Sequence, residues 1–409
     1  MAGICIWLCV NLIRTLQNRY GATRVFLGIF FIGGVIRFSW AIFVPTQPFS
    51  DFKSFYESAI QLAQGAAVLT KNMGYSLLLS AWFRLYPSVL TGKLINATAS
   101  TLSILFLYHI GSKLINKQVG LITSFLFAVL PSEIIMVSVL GTEVVVTTLG
   151  IITAFFIIRT SNEKRSSPTT SILWAGLFYG LGLTVRSSFI FYFSAILIWI
   201  VFINFPNYRQ IGKVFFAFIV GIAIGLSVVL VSYYLSTKQF SLEPLRTQNS
   251  FPFLSGTNLA KSGRYNKNDA YLYLSWVADK RDALARQEAI NRIKSNPIGF
   301  MFLIPKKVAI LFGDNNDGIY WSLKDIDWKI GKPLIGLFSQ SIYVFILFFA
   351  LLAFKDSKNS ILPLITLILV LSTLLPHTVL EVQGRYHHYV MPFIVLLASN
   401  GLQQYKNTS

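Results

Sequence analysis

The stretch VFLGIFFIGGVIRFSWAIFV, Val25–Val44, decides the fold class. It holds a single charge, Arg37, in a run long enough to cross a bilayer core, which takes about 20 residues of helix. It is too long, and too poor in a small-residue cleavage site, to be a removable leader. Arg14, Arg19 and Arg24 precede it and orient that end toward the cytoplasm. Arg37 is read as packed against a partner or snorkelling, with no functional role.

The rest of the chain repeats the pattern. Of 409 residues only 12 % are charged, against about 25 % in a soluble domain, and the mean hydropathy is +0.61. Further apolar blocks run over Thr91–Gly111, Leu121–Leu130 (stopped by Pro131), Glu143–Ile158, Ser171–Val185, Ser188–Phe205, Val214–Leu235, Leu334–Phe354, Ile361–Leu375 and Tyr389–Leu402. These predict an all-α polytopic membrane protein with about ten transmembrane helices and both ends cytoplasmic. Four parts are expected. Residues 1–24 form a cytoplasmic interfacial segment, and 25–235 a catalytic transmembrane module with a first external loop at 45–90. Residues 236–333 form a small mixed external loop domain, and 334–409 a C-terminal transmembrane module. Short inside loops collect Lys113, Lys117, Arg159, Lys164, Arg165, Arg209, Lys213, Lys355 and Lys358, as the positive-inside rule requires.

The formal charge of +19 does not indicate nucleic acid, because the cations sit in loops between apolar blocks rather than on one soluble face. They fit contacts with anionic membrane lipids instead. Cys5 and Cys9, the only cysteines, make no disulfide framework and no zinc site. They read as small apolar residues, and His387 and His388 read as interface residues rather than ligands.

Six charged residues fall on the external side of this topology: Asp51, Lys71, Glu143, Arg186, Glu381 and Arg385. Charges at the edges of apolar blocks are costly unless paired or used. Transfer of a glycosyl group to a hydroxyl needs a carboxylate to take the proton, and cations to face a departing phosphate. Asp51 and Glu143 are the candidate bases; Lys71, Arg186 and Arg385 are the candidate phosphate ligands. Each has a plainer reading: Asp51 and Glu143 also suit helix starts, Arg186 suits a headgroup contact, and Glu381 suits a pair with Arg385. A divalent cation between Asp51 and Glu143 would help hold a phosphate. Two carboxylates do not require one, so the sequence names no cofactor and leaves a metal open.

These elements, in order, resemble the C-type integral-membrane glycosyltransferases, in particular the bacterial relatives of protein O-mannosyltransferases and the lipid A aminoarabinose transferase. The first external loop reads Ser50-Asp51-Phe52-Lys53-Ser54-Phe55-Tyr56 and is followed by Lys71-Asn72-Met73-Gly74-Tyr75. A second acidic element is Gly141-Thr142-Glu143. Thr184-Val185-Arg186-Ser187, Gly256-Thr257-Asn258, Gly263-Arg264-Tyr265-Asn266 and Glu381-Val382-Gln383-Gly384-Arg385-Tyr386 follow. Proline is missing after Tyr75 and after Arg186, and the second acid is Glu rather than Asp.

The resemblance implies an inverting transfer of a sugar from a polyprenyl-phosphate donor to a glycan, lipid or protein hydroxyl. The enzyme would lie in the bacterial cytoplasmic membrane with its site facing outside. Asp51 and Glu143 would be catalytic; Lys71, Tyr75, Arg186, Arg264, Glu381 and Arg385 would bind substrate. The extended soluble C-terminal domain of some relatives has no counterpart, which places acceptor recognition on the external loops. One rival is an undecaprenyl-linked glycan polymerase or ligase, which would not need the acid of the first external loop. A lipid-linked glycan flippase is the other; it would call for mid-membrane charge and repeated halves, and no internal repeat is visible.

Overall fold

A computed structural model of the chain describes residues 2–70, 72–160, 168–204, 208–245, 250–355 and 361–408. Lys71, Lys164, Arg165 and Lys358, singled out above, lie outside them. Among the described residues the regular elements are all helices.

The first span forms as α2 (Ala22–Phe43). The amphipathic α1 (Ala2–Tyr20) precedes it, buries Ile6, Val10 and Ile13 along one stripe, and leaves its other faces open. Arg37 is fully buried. It donates to Ser100 Oγ at 2.7 Å and to the carbonyls of Gly33, Phe127 and Ala128 at 3.1, 2.8 and 2.9 Å. Such pairing makes a buried cation tolerable.

The first external loop folds as two short helices, α3 (Asp51–Ala63) and α4 (Met73–Phe83), packed on each other. Phe52, Phe55, Ala59 and Leu62 form the buried stripe of α3, a helical spacing. Next come α5 (Val89–Leu114) and α6 (Lys117–Val129), which breaks at Pro131 into α7 (Pro131–Ile135) through a 57° bend. Proline at the first helical position starts the new segment in a new direction.

Helix α8 (Glu143–Arg159) packs on α5 and on α9 (Pro168–Val185). A 3₁₀ turn, Ser187–Tyr192, leads to α10 (Phe193–Asn204) and α11 (Tyr208–Thr237). Gly176 and Gly180 of α9 lie against Gly221 and Gly225 of α11; a Cβ on Gly225 would stand 2.5 Å from the Leu177 carbonyl. Small residues four apart on both helices allow this backbone approach, the means by which membrane helices associate where lipid supplies no hydrophobic drive. The contact fixes the end of α9, and so the turn that carries Arg186.

Among the described residues of the segment between α11 and α17 (Gly331–Lys355), the regular elements are all helices, which corrects the expectation of a mixed domain. It contains α12 (Ser250–Gly256), α13 (Lys267–Ser275), α14 (Arg281–Ser295), α15 (Pro297–Phe312) and α16 (Asp317–Leu323). The Asn-rich composition that reads as irregular loop supplies caps instead. Asn258, Asn266 and Asn296 each accept a backbone N–H three residues on, from Lys261, Asp269 and Gly299. Arg292 ties α14 to Asp269 at 2.9 Å. The chain ends with α18 (Ile361–Val379), a 3₁₀ turn at Gly384–His387, and α19 (Met391–Thr408).

Five of these helices are long and apolar enough to cross a membrane: Ala22–Phe43, Val89–Leu114, Ile211–Thr237, Gly331–Phe354 and Ile361–Val379. The number is seven if each bent pair, α6 with α7 and α14 with α15, is one span. This is fewer than the expected ten. The expected spans that became α8, α9, α10 and α19 account for the difference, falling short in length or in hydropathy. Helices enclosed by others need little lipid-facing surface, so their length and hydropathy fall below those of a lipid-exposed span.

Candidate active site

Glu143, the first residue of α8, is completely buried. Two guanidinium groups distant in sequence meet its Oε1: Arg186 Nη1 at 3.1 Å and Arg385 Nη1 at 3.4 Å. Gly141 makes room for it, since a Cβ there would collide with Glu143 Oε2 and come within 2.9 Å of Phe52. Glu143 Oε2 and Arg385 Nε are buried without a hydrogen-bond partner among the described residues.

Both arginines are held on more than one side. Arg186 follows α9, donates to Thr142 Oγ1 at 2.9 Å and Ser188 Oγ at 3.1 Å, and lies 5.1 and 5.4 Å from the Tyr386 and Tyr389 rings. Asn72 accepts the N–H of the next residue, Ser187, at 3.3 Å. Arg385 lies over Trp321 at 4.4 Å and Phe52 at 5.1 Å, and its backbone N–H donates to Asp317 Oδ2 at 2.9 Å. Thus α3 and α16 cage the guanidinium, and cation–π contacts strengthen as water is excluded. Burial opposes the charge of each arginine. For Arg385 the field of Glu143 outweighs it, and for Arg186 that of Tyr389 and Glu143 does, so both stay above their ordinary values.

Asp51 stands differently. It is exposed at the first turn of α3, within electrostatic reach of Arg186 and Glu381, and no described residue pairs with it. Ser50 before it has φ 54 and ψ −137, backbone a non-glycine residue adopts only under constraint. Glu381 is buried next to the arginines, its Oε1 accepting from Gln383 Nε2 at 2.6 Å and Tyr386 OH at 3.4 Å. Tyr75 is near Glu143 but closed off: its hydroxyl donates to Asn96 at 3.2 Å and its ring packs edge-on to Phe55. Its hydroxyl and ring are thus both engaged by neighbouring side chains. Arg264 is exposed beside Gly263, whose carbonyl accepts the Val382 N–H at 3.0 Å.

Sequence reasoning missed Thr142, Asp317, Trp321 and Tyr389, which orient the arginines. Trp321 and Asp317 sit in a stretch that reads as irregular loop, with nothing local to mark them. No group of three or more His, Cys, Asp or Glu side chains converges among the described residues. Glu143, half of the pair considered for a cation, already faces two guanidinium groups.

An apolar cavity runs between α8, α10, α18 and α19, lined by Thr147, Gly150, Tyr192, Trp199, Leu369 and Tyr389 among others; Arg186 lies against the Tyr389 ring.

The fold is similar to that of a solved oligosaccharyltransferase, and part of the chain matches a glycosyltransferase family. Residues 65–234 match the family described as dolichyl-phosphate-mannose-protein mannosyltransferase. The oligosaccharyltransferase of Archaeoglobus fulgidus in its apo form superposes on 94 % of this chain with a TM-score of 0.56 and 12 % identity. The same protein in complex with Zn and sulfate covers 93 % with a TM-score of 0.52 and 12 % identity. The chain spans about half the length of that protein, 51 and 49 % in the two structures. ArnT from Cupriavidus metallidurans covers 96 % of this chain and 79 % of its own at 10 % identity; its TM-score of 0.41 is too low to bear on the fold. No curated protein matches the chain.

Proposed function

We propose that this protein transfers a sugar from a polyprenyl-phosphate donor to an acceptor hydroxyl, with inversion, at the external face of a bacterial cytoplasmic membrane. One observation carries the reading. Two guanidinium groups share one buried carboxylate, which leaves one net positive charge, and Tyr389, beside Arg186, also lines an apolar cavity. A phosphodiester on an isoprenoid tail has the matching shape: one negative charge and a long apolar body. The family description, which names a dolichyl-phosphate sugar, supports the same donor class.

The geometry supports these roles. Arg186 and Arg385 receive the phosphate and stabilise the charge it gathers as the glycosidic bond breaks. Asp51, exposed and without a partner among the described residues, takes the proton of the attacking hydroxyl. Glu143 is a positioning residue that keeps the two guanidinium groups together. The hydroxyl, its proton passing to this single base, attacks C1 from the side opposite the phosphate; the C1–O bond to the phosphate breaks and the anomeric carbon is inverted. The test is transfer in reconstituted membranes from a panel of labelled polyprenyl-phosphate sugars, extracted and separated into lipid and acceptor fractions. Label that stays on the carrier with every member of the panel refutes the reading.

A further inference from the structure

Glu381 has no task in that scheme, although it is buried beside Arg385 and Tyr386. It follows α18, its backbone N–H donates to Pro252 O at 2.7 Å, and its carbonyl meets His377 Nδ1 at 2.7 Å. Only 6 % of the residue is exposed. Both hydrogen-bond donors to its carboxyl group, Gln383 Nε2 and Tyr386 OH, reach Oε1. Those two donors fill the acceptor positions of that oxygen, so a proton on the group resides on Oε2. Oε2 has no hydrogen-bond partner among the described residues.

The surroundings favour the neutral form. Asp51 of α3 faces the carboxyl, as do Arg385 and Tyr386 of the 3₁₀ turn; Lys307 of α15 and His377 of α18 are further charged or titratable neighbours among the described residues, and Arg186 stands beyond His377 and Tyr386. Lys307 is engaged elsewhere, donating to the Thr378 and Leu380 carbonyls at 3.0 and 2.9 Å. Burial raises the Glu381 carboxyl above its ordinary value and Asp51 adds to that, against Gln383, Arg385 and Tyr386. Desolvation and a neighbouring carboxyl both favour the protonated form of a buried acid. A neutral acid in a water-poor site can then donate a hydrogen bond at neutral pH.

We propose that Glu381 works as a neutral carboxylic acid whose Oε2–H donates a hydrogen bond to an oxygen of the donor phosphate held by Arg186 and Arg385. The inference rests on the donor class proposed above. No proton leaves Glu381. The hydrogen bond strengthens as the phosphate takes the electron pair of the breaking C1–O bond, while the acceptor proton goes to Asp51. The carboxyl thus complements the transition state more than the bound donor.

The experiment measures turnover from pH 5 to 9 for wild type, Glu381→Gln, Glu381→Ala and Gln383→Leu, using the labelled polyprenyl-phosphate sugars. Wild-type transfer comes first; its absence with every donor ends this inference together with the reading beneath it. Given transfer, wild type should lose activity on an alkaline limb as Glu381 ionises. Glu381→Gln still offers an N–H donor and should keep most of the turnover while losing that limb. Glu381→Ala should lose about 10²-fold, the effect of removing one preorganised donor. Gln383→Leu removes a donor that favours the ionised form, so its limb should move to higher pH. That shift decides the matter even if Glu381→Gln fails to fold. Glu381→Gln as inactive as Glu381→Ala at every pH overturns the inference. So does an alkaline limb that neither Glu381→Gln nor Gln383→Leu moves.

Discussion

Replacing Glu143 by Gln removes a charge and almost nothing else. Its carboxylate is the common partner of Arg186 and Arg385, whose side chains are 17 and 8 % exposed. Taking one partner from a buried ion pair costs about 3–5 kcal/mol, because the charge left behind is uncompensated. In a domain of 150–250 residues each kcal/mol moves the melting temperature by about 2–4 °C. Taking the lower figure for this larger chain, Glu143→Gln should melt at least about 6 °C below wild type in detergent. The variant also carries two uncompensated guanidinium groups where the donor phosphate is proposed to bind. An anionic ligand should therefore replace part of the missing carboxylate. A ligand at 100 times its Kd adds about 2.7 kcal/mol, so undecaprenyl phosphate should recover several degrees in the variant and fewer in wild type. Scanning fluorimetry with and without undecaprenyl phosphate measures both effects. If Glu143→Gln melts with wild type, and undecaprenyl phosphate raises both equally, the clamp reasoning is refuted and Glu143 returns as a candidate base.

Asp51→Asn should fold and bind donor as wild type, since Asp51 is exposed, but lose about 10²-fold or more in turnover; near-normal turnover would remove Asp51 as the base. Arg186→Ala should weaken donor binding by about 1.5–3 kcal/mol, the range for hydrogen bonds to charged groups, or roughly tenfold to a hundredfold in Kd; unchanged donor affinity would exclude it as a phosphate ligand. Gly180→Leu should separate α9 from α11 and lower both stability and donor binding; a variant equal to wild type in both would disconnect that contact from the site. A cysteine replacing the exposed Lys267, in a chain lacking Cys5 and Cys9, should be labelled by an impermeant maleimide in intact cells. Labelling only after permeabilisation would reverse the membrane orientation.

Much of the fold is legible locally because a membrane helix must satisfy its backbone within itself and bury apolar side chains over its whole length. Val25–Val44, Thr91–Gly111 and Ile361–Leu375 each become helices within a few residues of those bounds. Pro131 ends one helix as its missing N–H requires, and the Phe52, Phe55, Ala59 and Leu62 stripe packs inward. The span count is less legible. Whether a short apolar block crosses the bilayer depends on which helices enclose it, and that is a property of the assembled bundle.

The site divides in the same way. Sequence alone marks Asp51, Glu143, Arg186, Glu381 and Arg385 as charges at the edges of apolar blocks, where an unpaired group is costly. It does not say which of them meet. Glu143 and Asp51 look equivalent along the chain, each an acid at the start of a helix. Only the tertiary structure separates them, by bringing Arg385 from 242 positions away onto one (385 − 143) and leaving the other in the open. Trp321 and Asp317 gain their importance only because α16 folds back over the Arg385 turn. Residue type sets which charges a site can use; long-range packing sets which of them are paired, and a paired carboxylate can no longer serve as a base.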